Sequence, residues 1–147
     1  MTQHFLTIHN QTPAQKNGKR IVSNHRGGSR IISSQKTLDW KKAALAELDP
    51  LDLHIRPEGR IQIDYMFYVT DKTQRDLDNM IASVNDILQA ACADKEMQLQ
   101  KNGKLKEVRV KKTGIIEGDH WAVLRIGSAD AEVDKENPRC ELTITEL

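Results

Sequence analysis

The chain has 147 residues, 38% hydrophobic and 29% charged, with a formal net charge of +1, which suits one domain with a modest core. Two cysteines, Cys92 and Cys140, exclude a disulfide framework or a zinc cluster and read as buried residues. No apolar run approaches the roughly 20 residues that span a bilayer, and residues 1–10 lack the apolar core of a signal peptide. The expectation is therefore a soluble, cytoplasmic protein with no membrane segment.

In chain order, residues 2–9 alternate loosely around Phe5, Leu6 and Ile8 and predict a first short strand. Up to Thr37 the chain carries Lys16, Lys19, Arg20, Arg26, Arg30 and Lys36 and no carboxylate. Such a stretch is either a positive face for phosphates or a solvated basic arm. Within it, residues 20–23 and 30–32 predict two short strands joined by the Gly27-Gly28 turn, which is too short to be a phosphate-binding loop. Residues 38–48 predict a helix, capped by Ser34 or Thr37 and stopped at Asp49-Pro50. Ile61, Ile63, Tyr65 and Phe67 alternate with polar neighbours and predict a strand with one buried face. Residues 76–91 give the clearest helix, with Leu77, Met80, Ile81, Val84, Ile87 and Leu88 in one apolar stripe and Asp76 placed to cap it. Asn102-Gly103 predicts a hairpin between 97–100 and 105–110, inside a second basic stretch from Lys101 to Lys112. Residues 121–126 predict a strand with Trp121 as a core or dimer contact, 127–138 an acidic loop, and 140–147 a closing strand. The fold expected is α+β: a single domain over residues 1–147, with a mainly antiparallel mixed sheet and two principal helices.

The chemistry concentrates at Arg75-Asp76-Leu77-Asp78-Asn79. Carboxylates two apart point away from each other inside a helix. At its N-terminus the first stands outside helical geometry, and both can converge on one divalent cation such as Mg2+, which takes oxygen ligands. The competing reading is a capping residue followed by a first-turn acid favoured by the helix dipole. The five histidines show no metal-ligand spacing. Asp86 is either a further ligand or a solvated acid, and Asp64 faces either solvent or the same acidic cluster.

The stretch Arg75-Asp76-Leu77-Asp78-Asn79-Met80, followed by Asn85-Asp86-Ile87-Leu88, resembles the signature of the RusA family of Holliday-junction resolvases. Glu141-Leu142-Thr143-Ile144-Thr145-Glu146 is similar to that family's final strand, and Gln15-Lys16-Asn17-Gly18-Lys19-Arg20-Ile21 to the basic segment of its phage-type members. Ile32-Ser33-Ser34 with Trp40 fits the segment that follows. The resemblance implies a homodimeric endonuclease that uses Mg2+, with Mn2+ as a substitute, to hydrolyse phosphodiesters in branched, four-way-junction DNA. It assigns Asp76 and Asp78 as catalytic metal ligands. The third acid falls on Glu96 within Lys95-Glu96-Met97-Gln98-Leu99, with Asp94 as its rival; a competing alignment puts Asn102 there and leaves no acid. Lys16, Lys19, Arg20 and Arg75 are the expected DNA contacts. One departure is plain: Ala82 stands where the family carries a lysine. Loss of a cation aimed at developing negative charge lowers rates by orders of magnitude. Lys72, Arg75 or Lys95 are the possible substitutes, and a junction-binding relative with impaired cleavage is the alternative.

Overall fold

The computed structural model describes residues 1–14, 19–23, 29–33, 35–89, 94–110 and 113–147, with only the backbone described for 19–23, 29–33, 94–98 and 108–110. The elements are β1 (Gln3–His9), β2 (Lys19–Ser23), β3 (Ser29–Ser33), α1 (Gln35–Leu48), β4 (Ile61–Val69), α2 (Leu77–Leu88), β5 (Asp94–Leu99), β6 (Leu105–Val110), β7 (Leu124–Val133) and β8 (Arg139–Glu146). A four-stranded sheet has the order β1-β8-β4-β7, antiparallel except for the parallel β4–β7 pair. Two hairpins, β2–β3 and β5–β6, stand apart from it. The α+β single-domain architecture with two principal helices is the one its patterning implies. No helix among the described residues is long and apolar enough to cross a membrane.

The period of two along β4 buries Ile61, Ile63, Tyr65, Phe67 and Val69 on one face. Against that face pack Trp40, Ala44 and Leu48 of α1 and Met80, Val84, Ile87 and Leu88 of α2. Phe67 is fully buried, and truncation to alanine there would cost about 3–5 kcal/mol. One polar pair crosses this core, the Tyr65 hydroxyl donating to Asn85 Oδ1 at 2.6 Å. Cys140 is buried as expected, and burial pushes its thiol well above the usual range. Cys92 lies outside the described residues.

Several expectations shift. The residues read as an acidic loop at 127–138 begin as the second half of β7, which runs to Val133. Among the described residues only one side of β7 pairs, with β4, and most of its side chains are exposed, so Asp130 and Glu132 are tolerated and no apolar alternation marks the strand. Trp121 precedes β7 and is 81% exposed, so it is not a core residue. Helix α2 stops at Leu88 instead of Ala91, with Gln89 extended. The cause is tertiary. Thr113, Ile116 and Gly114 donate their N–H groups to the carbonyls of Ile87, Leu88 and Gln89, occupying the helix's last acceptors. Gly114 adopts φ 71° there, and Ile115 and Ile116 plug the core beneath. In the β5–β6 loop Gly103 alone takes positive φ, at 80°. Its N–H bonds Gln100 O at 3.0 Å and Gln100 N–H bonds Lys104 O at 2.8 Å, a three-residue connection with a glycine bulge.

Candidate metal and phosphate site

Helix α2 follows β4 across a seven-residue excursion, 70–76, and this loop is tied down from both ends. Thr70 donates its N–H and its hydroxyl to Gln11 Oε1, each at 2.7 Å. Asp71 Oδ1 accepts from Thr73 N–H and from Arg75 Nη2, both at 3.0 Å, while Arg75 Nη1 reaches the carbonyls of Thr73 and Asp71. Thr73's hydroxyl and backbone N–H, with the Arg75 guanidinium, hold the Asp71 carboxyl below its ordinary range. Arg75, expected among the DNA contacts, is thus committed to the loop, with its side chain 17% exposed.

Asp76 is the N-cap residue by position, with φ −71° and ψ 120°, but its carboxylate makes no capping bond to the helix amides. It accepts instead from the Asn79 side-chain amide, Nδ2 to Oδ2 at 3.1 Å. Asp78 Oδ1 accepts from Asn79 N–H at 3.0 Å. Asn79 therefore touches both acids, a role the D-x-D spacing does not reveal; its position three residues after the cap is the signal. Both carboxylates are exposed, and neither has an ion-pair partner among the described residues. This donor set fits a hard cation such as Mg2+, which keeps several waters and takes one or two carboxylates. Asp76 and Asp78 would hold it. Ala82, one turn beyond Asp78, is half-buried, as is Asp86.

Glu96 lies on β5 opposite Val108, and Asp94 opposite Val110. Their side chains are outside the described residues, and among the described residues no group of three His, Cys, Asp or Glu converges. The β5 strand packs beside β3, which pairs with β2, so the backbone that carries Glu96 neighbours the hairpin that carries Lys19 and Arg20. Lys16 lies outside the described residues. The segment entering that hairpin is anchored to α2, since Ser83 Oγ donates to Pro13 O at 2.7 Å.

Asp64 is half-exposed and is tied to β7 rather than to the acid pair. β7 is bulged at Gly127-Ser128 opposite Asp64, whose Oδ1 accepts from Ser128 N–H at 2.7 Å and Ser128 Oγ at 3.0 Å. The Ser128 backbone bond, aided by Gln62 and Arg125, lowers its pKa despite partial burial. A Cβ on Gly127 would lie 2.2 Å from Asp64 Oδ1, so any larger residue there must displace the Asp64 carboxylate. Three of the described histidines are tie points: His4 meets Glu146, His9 meets Glu47, and His54 meets Asp52 and Gly114 O, while His120 is exposed. Between the ends of β4 and β7 and the start of α2 lies a cleft of about 430 Å3. A scan against known protein families finds no family that matches the chain, and no curated protein matches it.

Proposed function

We propose that the chain is a Mg2+-dependent endonuclease that hydrolyses phosphodiesters in four-way DNA junctions and works as a homodimer. The observation that carries this reading is the state of Asp76. A carboxylate at an N-cap ordinarily binds the first-turn amides; this one leaves them and stands exposed beside Asp78, positioned by Asn79. Helix-start acids that cap their helix have a structural role, whereas Asp76, held off the amides, and Asp78, which takes only the adjoining Asn79 N–H, keep carboxylate oxygens available to a cation. The resemblance of residues 75–80 and 85–88 to the RusA signature supports the same assignment.

In this reading Asp76 and Asp78 hold the metal, with Glu96 as third acid. Held there, Mg2+ would supply Lewis-acid chemistry to the phosphodiester and its attacking water. Arg75 and Asp71 brace the loop in front of the pair. Lys16, Lys19 and Arg20 would contact backbone phosphates without reading bases. With Arg75 committed to its loop and Lys95 beyond the described side chains, exposed Lys72 is the described cation best placed in sequence to replace the lysine absent at Ala82. Ala82 keeps a second reading in play: a junction-binding protein with weakened cleavage. A labelled synthetic four-way junction, incubated with the protein with and without Mg2+ or Mn2+, separates them. Metal-dependent nicking supports the nuclease, salt-sensitive binding without nicking supports the binding protein, and no binding refutes both.

A further inference from the structure

The cleft beside the acid pair has a chemical character of its own. Val69, Leu77, Met80 and Val133 give it an apolar lining, and its other side is of mixed charge, Lys72 and Arg75 against Asp71 and Glu132. Its volume of about 430 Å3 falls within the roughly 300–1,000 Å3 of small-molecule sites. Asp76 stands in sequence between two lining residues, Arg75 and Leu77, which puts its backbone at the cleft wall.

The rim supplied by β7 adds hydrogen-bonding groups. Asp134 N–H donates to Val69 O at 2.8 Å. Main-chain groups alternate in direction along a strand, so those of Ala131 and Val133 face away from β4. Ala131 N–H is taken by the Asp130 carboxylate at 2.7 Å. The Ala131 carbonyl and the Val133 N–H and carbonyl remain on the outer edge, and among the described residues no other group bonds to them. An apolar slot bordered by coplanar donors and acceptors matches a flat heterocycle: its faces need apolar contact and its edge needs hydrogen bonds. A phosphate or a sugar would leave the apolar lining unused.

We propose that this cleft receives one unstacked nucleobase of the bound DNA, the base flanking the phosphate at Asp76 and Asp78. The inference rests on the nuclease reading and extends it to a base-holding subsite. Capture of a base fixes the sugar–phosphate beside it, and at a junction crossover the stacking that must be broken is already weakened. The Lys72 ammonium, exposed and without an ion-pair partner among the described residues, is available to the flanking phosphate.

The test uses a four-way junction with 2-aminopurine placed in turn at each position next to the crossover, titrated with the full chain in EDTA so that no cleavage occurs. Anisotropy of a dye on a distal arm reports binding in the same titration. One position should brighten several-fold on binding, because the base leaves its neighbours and no aromatic side chain lines the cleft. Ala131→Ile, at an exposed strand position, narrows the cleft with a good strand former. It should suppress the brightening by at least half while anisotropy still shows binding, and a melt matching the parent shows that it folds. Binding without brightening at any position, or brightening that Ala131→Ile leaves unchanged, overturns the base subsite and leaves the nuclease reading intact. An absence of any anisotropy change overturns the nuclease reading and the subsite with it.

Discussion

Replacing Asp76 with asparagine separates a metal ligand from a helix cap without reference to activity. Asparagine caps as well as aspartate and can still accept the Asn79 amide hydrogen bond now held at 3.1 Å. Only the charge is lost. Its removal forfeits about 0.3–1 kcal/mol of interaction with the α2 dipole and relieves repulsion from Asp78, so the metal-free variant should lie within about 1 kcal/mol of the parent. Metal changes the comparison. At a Mg2+ concentration ten times Kd the parent gains RT ln 11, about 1.4 kcal/mol. For a chain of 147 residues that is a rise in Tm of about 3–6 °C. Thermal melts at matched ionic strength, with Mg2+ against a monovalent salt, should show this rise for the parent and none for Asp76→Asn. An equal rise in both proteins, or none in the parent, would refute the assignment of Asp76 as a ligand.

Three further outcomes follow from other parts of the molecule. Ala82→Lys should raise single-turnover cleavage by roughly ten- to a hundredfold at a cost of a few tenths of a kcal/mol in helix propensity; if Lys72 already supplies the charge, Ala82→Lys is neutral and Lys72→Ala is the variant that loses rate. Alanine at Lys16, Lys19 and Arg20 together should flatten the dependence of log affinity on log salt by up to about three units of slope, at roughly one per phosphate contact, and an unchanged slope removes this segment from the interface. Gly127→Ala and Asp64→Asn should each destabilise by on the order of 1 kcal/mol, the site being partly exposed, and a double-mutant cycle should show that the losses do not add. Because the folded-state pKa of Asp64 is depressed, its contribution is complete above about pH 4, the unfolded value, and fades as pH falls through the folded one. Chemical denaturation at pH 7 and pH 3 should therefore show the gap between parent and Asp64→Asn narrowing in acid.

Legibility in the sequence followed burial. β4 and α2 read clearly because each has one strongly apolar face and the core selects for it. β7 was hidden because its exposed side chains carry no alternation. The end of α2 was misplaced because its stop signal is not a local proline or glycine. It is a segment 25 residues downstream from Leu88 that delivers Thr113, Gly114 and Ile116 to the last carbonyls. At the site, the D-x-D spacing and its place at a helix start were visible, and Asp76 was rightly located at the N-cap. What its carboxylate bonds to depends on the rotamers of Asn79 and Asp76, which no spacing specifies. Arg75 illustrates the same limit, since a cation beside two acids reads as a phosphate contact until the geometry of Asp71 and Thr73 shows where its nitrogens go.

The central claim is that the Asp76–Asp78 pair supports phosphodiester hydrolysis at DNA junctions. It is tested most directly by mapping, at nucleotide resolution, the products of a single-turnover reaction on an immobile four-way junction with Mg2+. Two nicks related by the junction's two-fold symmetry are expected close to the crossover, absent from linear duplex of the same sequence and absent with Asp78→Asn. Undiminished nicking by Asp78→Asn, or equal cutting of the linear duplex, would contradict the claim.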